Sequence, residues 1–529
     1  MQDKNQMTST TFVLILLLLS LTSISFSYQV QEAFHKCLAN IQTPNTYFNR
    51  NHTDFIPILA STAINLRFTT FETPKPQVIF TPLNEAHVQV AVVCAKKLRI
   101  HLRFRSGGHD YEGASYTSKM NDSFVVIDLS KMRGVNVDTT DNSVSVEAGA
   151  TLGELYYRVQ EKGATLGVAA GMYTSLGVGG HITGGGYGSM MRKYGLAADN
   201  AFDARIVNSK GEILDRAAMG EDVFWAIRGG GGGSYGVLVS WKLRLVPVPN
   251  VATIFYVEKT LEQDATKVLY KWQQVAPMLD EDLFLRVFIR VSNVSGSTNK
   301  TIITTYHGHF LGEVDRLMEI MNTDFPELGL QRQDCFAMSW LKWVMVISGY
   351  PSFTPPSVLL GGKPTYMNYF KRKSDFVKQV IPETELEGIW KIMLDGESSP
   401  FMIWNPYGGM MSRLPEESTP FPHRNVLFMI EYVATWLVNE KRSMNQHLYG
   451  IHKLYRYMTQ FVSMWPRQAY ANHRDFDVGM NDGNGSYEQA SVWGRRYFKG
   501  NFERLVQIKS WFDPDNFFRH EQSIPIFSK

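Results

Sequence analysis

The chain has 529 residues, 44% of them hydrophobic and 13% aromatic, which is enough for a large core and two or three domains. Its 53 basic and 50 acidic residues leave a formal charge of +3, and no long run of Lys or Arg occurs, so there is no electrostatic case for binding nucleic acid. At the N-terminus Lys4 precedes the apolar run FVLILLLLSL, Phe12 to Leu21, and Ser25, Phe26 and Ser27 follow as a small-x-small pattern. These are the three parts of a secretory signal peptide, and the run is too short to span a bilayer. Residues 1–27 are therefore set apart as a leader, and no other stretch is apolar for long enough to cross a membrane. In a secreted chain the three cysteines suggest one disulfide and one thiol left over; we expect Cys37–Cys94 to pair and Cys335 to stay buried and reduced. Sequons at Asn51, Asn121, Asn293, Asn299 and Asn484 are expected glycan sites on exposed loops.

From Pro74 strands and helices alternate. QVIFTP and FVVIDLS read as buried strands, and EAHVQVAVVCAKKL between them has helical spacing of its apolar residues. SVSVEAGA alternates with period two and feeds TLGELYYRVQEKG, a helix with Thr151 as its cap and Gly163 as its stop. This α+β unit runs to about Val246, where PVPNVATIF marks a boundary. From about Ala252 to Met464 long strands and amphipathic helices alternate, rich in aromatic residues. A polar, aromatic-rich tail containing NFFRHEQSIP ends the chain.

Three glycine clusters lie in the N-terminal half: RSGGHDYEG from Arg105, LGVGGHITGGGYG from Leu176, and RGGGGGSYG from Arg228. Each lets backbone N–H groups converge on an anion such as a pyrophosphate. None fits the dinucleotide fingerprint or the P-loop. One such cluster reads as a flexible loop. Three of them embedded between apolar runs, two carrying Gly-Gly-His, do not read as linkers.

RSGGHDYEG, GVGGHITGGGYGSMMRKYGLAADN, GEDVFWAIRGGGGGSYGV and NFFRHEQSIP together resemble the berberine bridge enzyme-like family of plant FAD-linked oxidases, from about Glu32 to Pro525. The resemblance implies an α+β fold: a PCMH-type FAD-binding domain of the vanillyl-alcohol-oxidase kind, with an inserted substrate domain of antiparallel sheet backed by helices. Residues 28–247 and 465–529 would form the first domain and 248–464 the second, with the flavin ring at the seam. It further implies that FAD is held by Arg105, Ser106, Gly107, Gly108 and His109, by Tyr173, Leu176, Gly179, Gly180, His181, Gly184, Gly185, Gly186 and Gly188, and by Asn516. His109 matches the family's histidine that bonds the flavin 8α-methyl carbon. Tyr173 stands where most members have a cysteine bonded to flavin C6, and no cysteine lies between Cys94 and Cys335. A single attachment through His109 follows, with lower oxidising power than a doubly attached flavin has.

Four residues are candidates for chemistry. Tyr187 matches a tyrosine on the substrate side of the flavin; it could equally be a packing residue. Tyr111 follows His109 closely enough to face the same pocket. Glu431 lies in LFMIEYVATW, where Met429, Glu431 and Val433 share one strand face. A carboxylate there is costly to bury unless paired or functional. Burial is expected to raise its pKa toward that of a base; the bland reading makes it the partner of Arg413 or Arg424. His473, in YANHRDFDVG, replaces a tyrosine that often accepts the proton in the family, and a histidine can do that at neutral pH. Leu176 matches a position that governs O2 access, and His181 is expected to support its loop. No histidine shows ligand spacing with Cys or carboxylates, so no metal is expected.

The resemblance thus implies a secreted, apoplastic or vacuolar oxidoreductase. It would take hydride from an alkaloid or phenolic small molecule to flavin N5, with O2 as electron acceptor. The departures at Tyr173, Glu431 and His473 set it apart from relatives that oxidise monolignols or sugars. The alternative is a non-redox cyclase in which the flavin is scaffold and the pocket preorganises a diene and a phenolic partner. Trp340, Trp343, Tyr366, Tyr369, Trp404 and Tyr407 suit a flat apolar ligand, although core packing accounts for most such residues.

Overall fold

The computed structural model describes residues 29–41, 46–120, 123–294, 299–396, 398–481 and 485–527. The expected leader and the sequons at Asn121 and Asn484 lie outside the described residues; Asn51, Asn293 and Asn299 are exposed.

Strands β1 (Tyr47–Asn49), β2 (Val78–Phe80), β3 (His101–Arg105) and β4 (Phe124–Asp128) form a sheet in the order β1-β2-β4-β3, with β2 and β3 both parallel to β4. Parallel pairing needs a crossover, and the helix Glu85–Leu98 supplies it. Asn84 caps that helix by accepting the His87 N–H, and Arg99 ends it in the left-handed conformation. A second sheet is antiparallel and built from β5 (Val135–Asp138), β6 (Ser143–Glu147), β8 (Ala201–Val207), β9 (Ile213–Leu214) and β10 (Val237–Arg244), in the order β5-β6-β10-β8-β9. β7 (Leu166–Gly167) and β11 (Val246–Pro247) form a short ribbon. The helix Leu152–Lys162 starts at a capping box of Thr151 and Glu154 and stops at Gly163, as its sequence predicts.

The third sheet has seven antiparallel strands: β12 (Ala252–Thr260), β13 (Leu283–Asn293), β14 (Lys300–Phe310), β15 (Cys335–Met338), β16 (Tyr369–Val377), β17 (Phe401–Pro406) and β18 (Phe428–Trp436), in the order β15-β12-β14-β13-β17-β18-β16. Period-two alternation sorts its faces. On β18, Phe428, Ile430, Tyr432 and Ala434 enter a core shared with Trp390 and Leu454 of the backing helices, while Met429 enters the core of the N-terminal unit. Glu431 therefore points towards the seam. That N-terminal core also holds Trp493, Phe502, Leu505 and Ile524, so the C-terminal tail completes the first domain.

A buried arginine ties the two domains together, and a disulfide staples the first. Arg192, fully buried, donates from one guanidinium to five carbonyls of the substrate domain: Tyr407 at 2.9 Å, Asp280 at 2.9 Å, Pro277 at 3.1 Å, Leu279 at 2.6 Å and Leu283. Cys37 and Cys94 form the expected disulfide, with Cα atoms 5.8 Å apart. Cys335 is free but only half-buried, contrary to expectation, because β15 is a sheet edge.

Candidate active site

A cavity of about 280 Å³ lies at the seam. Its floor is the three glycine clusters; its other walls come from β3, the 171–177 segment, β18 and the 470–474 segment. The glycines have specific reasons to be glycine. Gly107 and Gly177 pack backbone to backbone, and a Cβ on either would lie about 2 Å from the other's nitrogen (2.2 and 2.1 Å). Gly108 has φ +68° and lies against Thr62. At Gly180 and Gly231, both lining the cavity, an added Cβ would meet nothing within 4 Å. The loops thus leave an open cradle. Among the described residues the N–H groups of Gly107, Gly108 and His109 find no hydrogen-bond partner, which suits a bound pyrophosphate or flavin.

His109 Nε2 is 2.9 Å from Ser175 Oγ. Its Nδ1 has no partner among the described residues. Burial, with Arg372 and His181 adding to it, pushes this imidazole down to about 3, so it is neutral. Tyr173 stacks edge-on against Tyr366, ring centres 5.8 Å apart. Both rings line the cavity, as do Leu176, Gly179, His181 and Gly184.

The polar end of the cavity holds all four candidates for chemistry. Glu431 Oε1 accepts from Arg372 Nη1 at 2.6 Å and from the Tyr111 hydroxyl at 3.3 Å. His473 Nε2 lies 3.9 Å from the same oxygen. His473 stacks on Tyr111 at 5.4 Å and meets the edges of Tyr187 and Tyr470. Arg372 also donates to the Tyr366 hydroxyl at 3.2 Å and covers the Tyr111 ring at 5.0 Å. Glu431 and His473 are 3% and 4% exposed, so their partners decide their charge. Burial pushes the Glu431 carboxyl up, but the positive charges of a protonated His473 and of Arg372, with hydrogen bonds from Arg372 and Tyr111, outweigh it and hold it low. The expected rise is thus reversed. The partner is neither Arg413, which pairs with Glu281, nor Arg424, which pairs with Asp199. Burial pushes His473 down, Glu431 opposing and Arg372 assisting, so it is neutral near physiological pH. Burial first, and the Glu431 charge, push the phenols of Tyr111 and Tyr187 well up, with Arg372 and Arg286 respectively opposing.

Five residues expected to hold the cofactor do not line the cavity. Arg105 is turned into the protein, to Asp128 and the carbonyls of Ile58 and Leu59. Gly185, Gly186 and Gly188 pack against Phe421, Ala197 and Ala170. Asn516 sits in a turn after the last helix, near Gly485. Of the aromatic residues, Tyr366 lines the cavity, whereas Trp340, Trp343, Trp404 and Tyr407 are core. The sequence reading missed Arg372. FKRKSDFV carries the signal: three consecutive basic residues between apolar neighbours in a strand cannot all reach water, so they need partners. It also missed Asn472, Arg103, Arg519 and His520, which line the cavity.

Residues 76–216 match the FAD binding domain family and residues 469–525 the berberine and berberine-like family. A monolignol oxidoreductase of Arabidopsis thaliana, AtBBE-like 13, is 56% identical over 510 residues, 95% of this chain and 94% of that protein. A tetrahydroberberine oxidase of Berberis wilsoniae is 47% identical over 504 residues, 94% of each. The crystal structure of berberine bridge enzyme from Eschscholzia californica superposes with a TM-score of 0.88 at 38% identity, covering 94% of this chain and 99% of that one.

Proposed function

Since the chain belongs to the berberine bridge enzyme-like family and is an FAD-linked oxidoreductase of plant metabolites, we propose that it oxidises a flat alkaloid or phenolic hydroxyl compound, with FAD held covalently by His109 alone. When bound, FAD accepts the hydride; the protein binds, orients and deprotonates. The observation that carries this reading is the ring-walled end of the cavity, where Tyr111, Tyr173, Tyr187 and Tyr366 surround Glu431 and His473.

The neutral His109 ring supports attachment: Nε2 is taken by Ser175, which leaves Nδ1 as the nucleophile. Tyr173 offers no thiol for a second bond. Glu431 has no hydrogen bond at Oε2 among the described residues, so this oxygen is available to a substrate hydroxyl. Where that hydroxyl is an alcohol, the neutral His473 takes its proton as hydride leaves the carbon that bears it, giving the carbonyl product. Because Arg372 already balances the Glu431 charge, the site offers no spare anion to a protonated amine, and this favours the phenolic class. Relatives named for a monolignol and for a tetrahydroberberine define the two trial substrates. O2 is the proposed terminal acceptor, with Leu176 beside the flavin site. The disulfide and the exposed sequons support passage through an oxidising secretory compartment.

The test is anaerobic mixing of holoprotein with a monolignol or a tetrahydroberberine. The reading expects bleaching of the visible flavin band, and peroxide on admitting air. Turnover with the flavin oxidised throughout would replace it with the cyclase reading. Colour that stays with acid-precipitated protein, and is lost in His109→Ala, supports the single bond; colour released from the native protein refutes it.

A further inference from the structure

Building on the assignment of His473 as proton acceptor, we infer that Arg372 is a positioning residue that reserves the Glu431 carboxylate as the fixed counter-ion of His473. The two residues are neighbours in space through β16 and β18, where Ser374 pairs with Glu431 and Arg372 with Val433. Arg372 is 6% exposed, and every contact of its two terminal nitrogens is in the site: Glu431 Oε1, the Tyr111 hydroxyl and the Tyr366 hydroxyl. The guanidinium spreads these contacts over two nitrogens, Nη1 to Glu431 and Tyr111 and Nη2 to Tyr366, so that one rigid plane fixes a carboxylate and two phenols from different segments.

The consequence is a division of labour. Among the described residues the hydrogen bonds and ion pairs of Glu431 run through Oε1. A carboxylate clamped this way is a poor proton acceptor, but it lies 3.9 Å from an imidazole that becomes positive when it accepts one. The groups facing His473 are Glu431 on β18, Arg372 on β16, Tyr111 and Tyr187 on the glycine loops, and Tyr470 on its own segment. Arg474 beside it turns away to Asp110. Among these groups only Glu431 and Arg372 carry charge at neutral pH, and they act on His473 in opposite directions.

The test is a cycle of variants read by the NMR titration of the His473 imidazole in oxidised holoprotein, its signal assigned by loss in His473→Asn. Arg372→Met leaves the carboxylate uncompensated and should raise the His473 midpoint by about one pH unit or more. Glu431→Gln leaves the guanidinium uncompensated and should lower it by a similar amount. The double variant should return close to the native value, and Arg372→Lys, which keeps the charge, should stay near it. The acid limb of the anaerobic flavin-reduction rate should move with each midpoint. Single variants that shift the midpoint in the same direction, or not at all, overturn the inference. If Arg372→Met does not fold, Glu431→Gln and Arg372→Lys still decide, the first by a lowered midpoint and the second by one that stays near the native value. Midpoints that move as described while the rate limb does not would instead sink the role of His473 as acceptor and leave the Arg372 pairing standing.

Discussion

Replacing Lys371 by Met should destabilise the protein far more than the loss of a surface charge. Lys371 and Lys373 flank Arg372 on β16 and point to its opposite face. Lys371 Nζ donates to Glu112 and, at 2.7 Å, to Asp475; Lys373 Nζ donates to Asp475 at 2.5 Å and to Asp477 at 2.9 Å. Lys371, Lys373, Glu112 and Asp475 are each under 5% exposed. Burial pushes the Lys371 ammonium down, but Asp475, Glu112 and Asp477 outweigh it and hold it charged. Without Lys371, one ammonium faces three carboxylates and Glu112 loses its counter-ion. Breaking a buried pair in this way costs about 3–5 kcal/mol, against a total stability on the order of 5–15 kcal/mol. The double change Lys371→Met/Glu112→Gln removes the orphaned charge and should recover most of the loss. The assay is urea unfolding at pH 7, followed by tryptophan and flavin fluorescence. Because Glu112 adjoins Tyr111 and Asp475 lies two residues from His473, the single variant should also reduce the rate of flavin bleaching. A loss under about 1 kcal/mol, the range of exposed pairs, would refute this account of the cluster.

Cys37→Ala opens a disulfide with a sequence separation of 57 residues, and chain entropy puts the loss at about 4 kcal/mol, measurable as a fall in the urea midpoint. Acid should weaken the fold well above the carboxylate range. Burial holds His101 and His423 down to about 3, whereas the unfolded chain titrates near 6.5. Their stabilisation is complete above about pH 6.5 and falls as the pH drops towards 3, by about 2 kcal/mol per imidazole at pH 5. Unfolding midpoints that stay flat between pH 7 and 5 would contradict this.

Much of the fold was legible because local rules and burial agree. The capping box at Thr151 and the fully buried strands β2 and β4 follow from their own residues. The site was legible where backbone demands glycine, as at Gly107, Gly108 and Gly177, whose close packing only a missing Cβ permits. It was misread where charge is decided by partners distant in sequence. Glu431 and Arg372 are 59 residues apart, and only the pairing of β16 with β18 brings them together. An isolated strand shows the cost of burying Glu431 but not the cation that cancels it. Gly185, Gly186 and Gly188 lie against Phe421, Ala197 and Ala170 rather than along the cavity, and a glycine that lines a cavity looks like one that packs against protein in one dimension.

Among the described residues every hydrogen bond by which Arg192 links the two domains goes to a backbone oxygen, so the tie does not hang on the protonation of one carboxylate. Swinging the halves apart would strand five carbonyls and a buried cation together. A clamshell cycle of opening and shutting is therefore closed to this molecule. Room for substrate and product must instead come from side chains that line the cavity, among them the edge-to-face pair Tyr173 and Tyr366.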